Sequence, residues 1–372
     1  MTIPSSQVRR QLQDFGLKFG LSPQNIDRRL ERLMGRQRFA DYLAVLEDCR
    51  AAGRPISDVY ALIDSLEEAN LLMSHQSELT LKVALWLLEK VELGARPGCT
   101  IVDLGCWTGT LTRLLAVAFP ECQLVGIDRV AAAVTWASAA STDVSNLQFL
   151  NWDYSHAVQK PQLQARVLVS SLGLDFHQRE RLHHSLDTSK LRDSAAYDAS
   201  FTEVTSCLSS WRAIAADGAS LHAVLRISDA EAMLAFADAA HKTGWTVSLS
   251  DSAKVAEAPG SDIPALTLLA RTPPEPLTDA EVLSWYGWTH REPADYSGVQ
   301  AVGLYRSLGE RRVIHTRSRL FDDGHTILVE VGRAGAIGYL FARATTGYAK
   351  LRLCSFLEAD RLTASFEEEH LG

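Results

Sequence analysis

Between residues 98 and 271 short apolar runs alternate with helical stretches, and this alternation constrains the fold more than any other feature of the chain. Strands are expected at 100–104, 123–127, 147–150, 167–170, 220–227, 246–249 and 264–270, and helices at 110–119, 131–139, 201–215 and 229–243. Strands separated by helices of about ten residues form parallel, doubly wound α/β sheets, because each crossover helix needs a sheet face to bury its apolar side. The last strand follows its predecessor through the loop 255–262 with no intervening helix. It is therefore expected as an antiparallel hairpin partner in an otherwise parallel sheet.

The flanks have a different texture. Apolar residues at three- and four-residue spacing predict helices at 8–15, 26–34, 39–49, 59–66 and 78–91, with Ser22 and Ser57 as helix-start hydroxyls. The proline-rich stretch 272–276 is the clearest linker. Beyond it a helix is expected from 279 to 285, strands at 311–320, 326–331, 337–342 and 350–354, and a closing helix at 358–369. The chain thus divides into an N-terminal helical cap or dimerisation region (1–77), a central α/β domain (78–272) and a small α+β accessory domain (278–372).

The 372 residues are 47% hydrophobic and 22% charged, which excludes a disordered chain, a collagen-like fibre and a disulfide miniprotein. No apolar stretch approaches a membrane span, and the Arg9-Arg10 pair near the start has no apolar core behind it to act as an export signal. A cytoplasmic protein without membrane association is expected. None of the six cysteines forms a C-x-x-C or stands at zinc-like spacing with histidines, so reduced and mostly buried thiols are expected, with no metal site. A net charge of −8 argues against a wholly electrostatic nucleic-acid binder.

Ligands of open α/β sheets bind at the carboxyl ends of the strands. Three of these ends carry an aspartate, Asp103, Asp128 and Asp153, at successive intervals of 25 residues. The first is followed by the turn Gly105-Cys106-Trp107-Thr108-Gly109. Glycines let the backbone approach a ligand, and a carboxylate at the second strand can accept hydrogen bonds from ribose hydroxyls. The turn lacks the middle glycine of a dinucleotide fingerprint, and Asp103 beside it would repel a diphosphate. A nucleoside carrying positive charge suits the turn better.

The segment I-V-D-L-G-C-W-T-G at 101–109 resembles the first motif of the seven-stranded (class I) S-adenosylmethionine-dependent methyltransferases, hydrophobic-hydrophobic-D-L-G-C-G-T-G. The resemblance runs from about Glu78 to Thr272 and includes the A-D-G-A turn at 216–219 ahead of the fifth strand. It implies a Rossmann-like methyltransferase sheet and S-adenosyl-L-methionine as cofactor. It places Asp103, Gly105 and Gly109 around the methionine end and Asp128 on the ribose, with Trp152 and Asp153 framing the adenine, and it counts Cys106, Trp107 and Ser170 among the cofactor-binding residues. Trp107 stands where the family has glycine. Either its backbone angle tolerates a side chain, or the ring covers the cofactor as a lid.

The fourth strand end bears on the acceptor. Methyltransferases acting on adenine or glutamine nitrogen carry Asn/Asp-Pro-Pro-aromatic there. The present S-S-L-G-L at 170–174 looks like that of enzymes acting on small molecules or carboxyl groups. Asp175 and His177 are the nearest candidates for a general base, with His183 and His184 beyond them. Methyl transfer to an oxygen or nitrogen of a small molecule or a peptide/protein follows. One alternative is an RNA acceptor held by the C-terminal segment, where nine basic residues between Tyr305 and Arg352 stand against four acidic ones, with Tyr339, Phe341 and Tyr348 interleaved. A solvated sheet face is the preferred explanation of that charge. The other alternative is a catalytically silent scaffold whose pocket Trp107 closes. A locally basic second helical region, with Arg28, Arg29, Arg32, Arg36 and Arg38, fits a lid or a homodimer surface as well as nucleic acid.

Overall fold

A computed structural model describes residues 3–52, 57–154, 161–176, 192, 195–227, 230–258, 261–271, 273–286, 294–308, 311–322, 324–334 and 337–355. Six N-terminal helices, α1 (Ser5–Asp14), α2 (Pro23–Met34), α3 (Arg36–Ala52), α4 (Ser57–Tyr60), α5 (Leu66–Ser74) and α6 (Ser77–Gly94), precede the sheet. Then come β1 (Thr100–Leu104), α7 (Thr110–Ala118), β2 (Gln123–Asp128), α8 (Ala131–Ala139), β3 (Leu147–Asn151) and β4 (Ala165–Phe176). They are followed by α9 (Ala195–Ile214), β5 (Ala215–Ile227), α10 (Ala230–Lys242), β6 (Trp245–Ala258) and β7 (Ser261–Ala270).

The seven strands order as β3-β2-β1-β4-β5-β7-β6. β7 runs antiparallel to both β5 and β6, as its short connection required, and the other described pairings are parallel. Residues 101–104 of β1 are all buried, as expected of a central parallel strand covered on both faces. The A-D-G-A turn is absorbed into β5 as a bulge: Ala165 pairs with Ala215 but Val167 pairs with Ser220, and Gly218 takes φ 71° in the extra loop of backbone.

By contacts the chain forms two units, 1–180 with 203–228 and 239–275, and 181–202 with 229–238 and 276–372. The N-terminal helices group with the sheet in the first unit, whereas the sequence alone divides the chain at residue 77. Val8 and Leu12 of α1 and Leu79, Val83, Leu87 and Val91 of α6 share one apolar core with Ile101, Leu114 and Val167. The apolar residues at four-residue spacing on α6 are thus buried against both α1 and the sheet, which ties α1 to the sheet. Ser22 caps α2 as expected, its hydroxyl accepting from the Asn25 N–H at 3.3 Å, with Pro23 at the first turn. The expected helix at 59–66 is instead broken in two. Ser65 caps a new helix, α5, by accepting the Glu68 N–H at 3.2 Å, while the Glu68 carboxylate takes the Asp64 N–H at 3.0 Å.

The second unit contains α11 (Asp279–Tyr286), β8 (Ala294–Ser297), α12 (Gly298–Ser307), β9 (Arg312–Leu320), β10 (Thr326–Ala334), β11 (Ile337–Ala344) and β12 (Ala349–Ser355). Its sheet orders as β8-β12-β11-β10-β9, all antiparallel. β8 and α12 were not anticipated, and the expected helix at 358–369 lies outside the described residues. α12 covers one sheet face through Ala301 and Tyr305 against Tyr339, Phe341 and Leu351. Tyr339 and Phe341 are therefore buried in the unit's own core and are not surface aromatics interleaved with the basic residues. The hydroxyls of Tyr305 and Tyr339 both donate to Glu330 at 2.6 Å. Edge strand β9 is exposed at nearly every position and carries Arg312, Arg317 and Arg319. Among the described residues no helix is long and apolar enough to cross a membrane, and no group of three or more His, Cys, Asp or Glu could hold a metal ion.

Candidate cofactor site

All described residues of the site belong to the first unit. After Leu104 the chain leaves the sheet at Gly105, whose φ is 76°. Gly105 and Cys106 donate their N–H groups to the Ile127 carbonyl at 2.8 and 3.0 Å, pinning the turn to the end of β2. Trp107 then takes φ 48° and Gly109 φ 74°, so with Gly105 three left-handed residues at alternate positions deliver the chain into α7. Gly109 is required on two counts. Its conformation disfavours a side chain, and a β-carbon would lie 2.5 Å from the Phe149 ring, which fills the space over the turn. As the N-cap of α7, Gly109 provides no side-chain cap, leaving amides of the first turn as a place for an anionic group.

The two acids at the ends of β1 and β2 come together beside this turn. Asp103 is 2% exposed and accepts the Thr112 hydroxyl from α7 at 2.6 Å. Burial pushes its carboxyl up to about 7; the Thr112 hydrogen bond acts in the opposite direction, and the negative charge of Asp128 adds to the rise. Asp128 is 7% exposed. One of its oxygens accepts the Trp107 N–H at 2.8 Å and the other the Val130 N–H at 2.9 Å. Burial raises its pKa, and the backbone hydrogen bonds from Val130 and Trp107 offset part of that rise. Each carboxylate oxygen retains a second lone pair, enough for one hydroxyl each of a vicinal diol. The Cys106 thiol is pushed well above its ordinary value by burial, with both aspartates adding to the effect, so it is no nucleophile at neutral pH.

The β3 end closes over the same carbonyl from both backbone and side chain: the Trp152 N–H and the Asn151 amide both donate to the Asp128 carbonyl at 3.0 Å. The indole N–H of Trp152 is buried without a hydrogen-bond partner, and its ring stands edge-on to Tyr154 at 6.2 Å. Asp153, next in sequence, is half-buried. Ser170 is fully buried, and its hydroxyl donates to the Leu104 carbonyl at 3.0 Å, so it ties β4 to β1. The backbone of Asp175 pairs with Arg226 at the end of β4 and β5, while its side chain, with His177, His183 and His184, lies outside the described part of the structure.

Trp107 takes φ 48°, a left-handed angle that side chains rarely adopt, so its backbone is strained rather than relaxed. Its ring lies 4.5 Å from that of Tyr60 and 6.5 Å from that of Trp136, within the apolar cluster of the N-terminal helices that includes Ile26, Leu30 and Val59. Thr112, Asn151 and Phe149 were not picked out from the sequence. A threonine facing inward from the first turn of the expected helix at 110–119 was the available signal for Thr112. Phe149 could have been found as the inward residue of β3 in register with Gly126.

No protein-family model and no curated protein matches the chain. Several solved structures are similar to it. A TehB-like S-adenosylmethionine-dependent methyltransferase from Corynebacterium glutamicum is 12% identical with a TM-score of 0.34, over 50% of this chain and 88% of that one. An rRNA methylase from Streptococcus thermophilus is 12% identical with a TM-score of 0.34, over 51% of this chain and 95% of the other. Magnesium protoporphyrin IX methyltransferase from Synechocystis, solved with S-adenosylmethionine bound, is 15% identical with a TM-score of 0.36, over 62% and 97%. By its own sheet order, with β7 alone reversed, the chain has a Rossmann-like, seven-stranded α/β fold.

Proposed function

We propose that the protein transfers a methyl group from S-adenosylmethionine to an oxygen or nitrogen of a small-molecule or peptide/protein acceptor. The observation that carries this reading is the pair of buried acids, Asp103 and Asp128, beside a left-handed glycine turn that opens α7 without a side-chain cap. The three features match the three parts of the cofactor by charge. The amides of α7 suit the methionine carboxylate, Asp103 suits the ammonium and sulfonium charges, and Asp128 suits the ribose diol. A cation beside Asp103 also offsets the burial that, with the charge of Asp128, favours the protonated form of its carboxyl. The cofactor supplies an electrophilic methyl carbon. The protein's own contribution to an in-line displacement is alignment of donor and acceptor, which is worth several kcal/mol in well-oriented systems, roughly 7–11 at the limit. Asp175 and His177, at the β4 end, are the residues proposed to take a proton from a hydroxyl or amine acceptor.

RNA as acceptor is the second reading, and the exposed edge strand β9 with Arg312, Arg317 and Arg319 is the observation in its favour. Release of S-adenosylhomocysteine, measured with a protein-free metabolite extract and separately with total RNA, tests the assignment. Turnover with the extract supports the first reading, and turnover with RNA alone moves the acceptor to nucleic acid. Absence of both turnover and cofactor binding would remove the enzyme assignment.

A further inference from the structure

Cys99 and Cys122 stand 23 residues apart in the sequence, in no recognised motif, yet the parallel pairing of β1 with β2 brings them side by side just ahead of Thr100 and Gln123. Their sulfurs are 3.5 Å apart. The backbone around them is already laddered, with the Gln123 N–H on the Cys99 carbonyl at 2.9 Å and the Gly98 N–H on the Glu121 carbonyl at 2.8 Å. Neighbouring strands lie about 4.8 Å apart, which falls inside the Cα separation that a disulfide spans, roughly 4.4–6.8 Å. The two thiols also form a small closed circuit. The Arg96 N–H donates to the Cys99 sulfur at 3.4 Å, Cys99 donates to Cys122, and Cys122 donates to the Arg96 carbonyl at 3.4 Å.

We propose that Cys99 and Cys122 are an oxidisable dithiol, a modification site that peroxide converts to a disulfide joining the amino ends of β1 and β2. Cys99 is half-buried and Cys122 is 4% exposed, so the oxidant meets Cys99 first. The Cys99 sulfur attacks one oxygen of hydrogen peroxide; the O–O bond breaks, the sulfur becomes a sulfenic acid and the other oxygen leaves as water with the thiol proton. The Cys122 sulfur then attacks the Cys99 sulfur; the S–S bond forms, the S–O bond breaks, and the second oxygen leaves as water with the Cys122 proton. Two thiols and one peroxide give one disulfide and two waters. Burial pushes the Cys122 thiol up to about 12, and the adjacent Cys99 adds to the rise, so Cys122 is a poor first nucleophile; its attack in the second step rests on the sulfur already in contact at 3.5 Å. Cys106 and Cys207 are buried elsewhere and serve as internal controls.

The bridge joins the ends of β1 and β2 opposite to those that carry Asp103 and Asp128, so its effect is on the sheet and not on the acids. The test is independent of cofactor or acceptor. The full chain is treated with a small excess of hydrogen peroxide, quenched with N-ethylmaleimide, digested and read by mass spectrometry. The proposal predicts one dominant linked peptide pair, Cys99 to Cys122, abolished by dithiothreitol, with Cys106 and Cys207 recovered as alkylated thiols. It also predicts a rise of the thermal midpoint by a few degrees that is lost in Cys99→Ser. Recovery of Cys99 and Cys122 as separate alkylated peptides, or of Cys99 as sulfinic acid, would overturn it. A linked pair that also appears in the urea-unfolded chain at equal yield would overturn it as well, because proximity in the fold would then play no part.

Discussion

Replacing Asp103 by Asn isolates the electrostatic strain at the end of β1. In the unfolded chain this carboxyl titrates near 3.8, and burial lifts it to about 7 in the folded one. Because the folded pKa is the higher, the folded state holds a proton that the unfolded state has lost throughout the interval between these values. The stabilising contribution is fully present below the unfolded pKa and is lost as pH rises through the folded one. At about 1.4 kcal/mol per pKa unit, the full effect is roughly 4 kcal/mol, an upper figure for a side chain whose surroundings relax when it ionises. Asparagine keeps the shape and can still accept the Thr112 hydroxyl, but has no proton to lose. Urea unfolding of both proteins, followed at about pH 5 and about pH 8.5, reads the difference. The Asn protein should gain on wild type by about 2–3 kcal/mol between the two conditions. A wild-type-minus-variant difference that stays constant across this range would refute the reasoning, since it would mean that the buried acid is charged at both.

Three further changes test how the turn and the cap are built. Gly109→Ala forces a side chain into φ 74° and against Phe149 at 2.5 Å, and should lower stability by about 2–4 kcal/mol in a denaturant melt. A neutral result would mean that Phe149 moves aside without cost. Trp107→Gly relieves a left-handed backbone worth about 1 kcal/mol but removes the ring from Tyr60 and Trp136, so a net loss of about 1–3 kcal/mol is expected. A more stable variant would show that the ring contributes no packing. Ser65→Ala removes the cap of α5 and should cost about 1 kcal/mol, with hydrogen exchange accelerated first at the α5 amino end, near Glu68.

The sheet was legible because its elements carry local signals. The strands at 100–104, 123–127 and 147–150 were read to within a residue, and the antiparallel seventh strand followed from a connection too short to hold a helix. The glycine turn and the acids Asp103 and Asp128 were legible for the same reason, as they are neighbours in sequence to the strands that place them. What escaped depends on pairings that only the tertiary structure makes. Tyr60 and Trp136 meet Trp107 from opposite sides of the sequence, and Thr112 reaches Asp103 across a helix turn. The two units are discontinuous because 181–202 and 229–238 group with the C-terminal segment, a partition with no mark in composition. The break at Ser65 was missed although its S-x-x-E spacing was present, since apolar periodicity on both sides ran through it.

Calorimetric titration of the wild-type protein and of Asp128→Ala with S-adenosylmethionine and with S-adenosylhomocysteine bears most directly on the proposed function. The account predicts saturable binding by the wild type and a weakening of about tenfold or more in the variant, the value of about 1.5–3 kcal/mol for hydrogen bonds to a charged group. Absence of binding to the folded wild-type protein, or equal binding by the variant, would contradict it, and the first outcome would leave a methyltransferase fold acting as a scaffold with Trp107 packed into its cap.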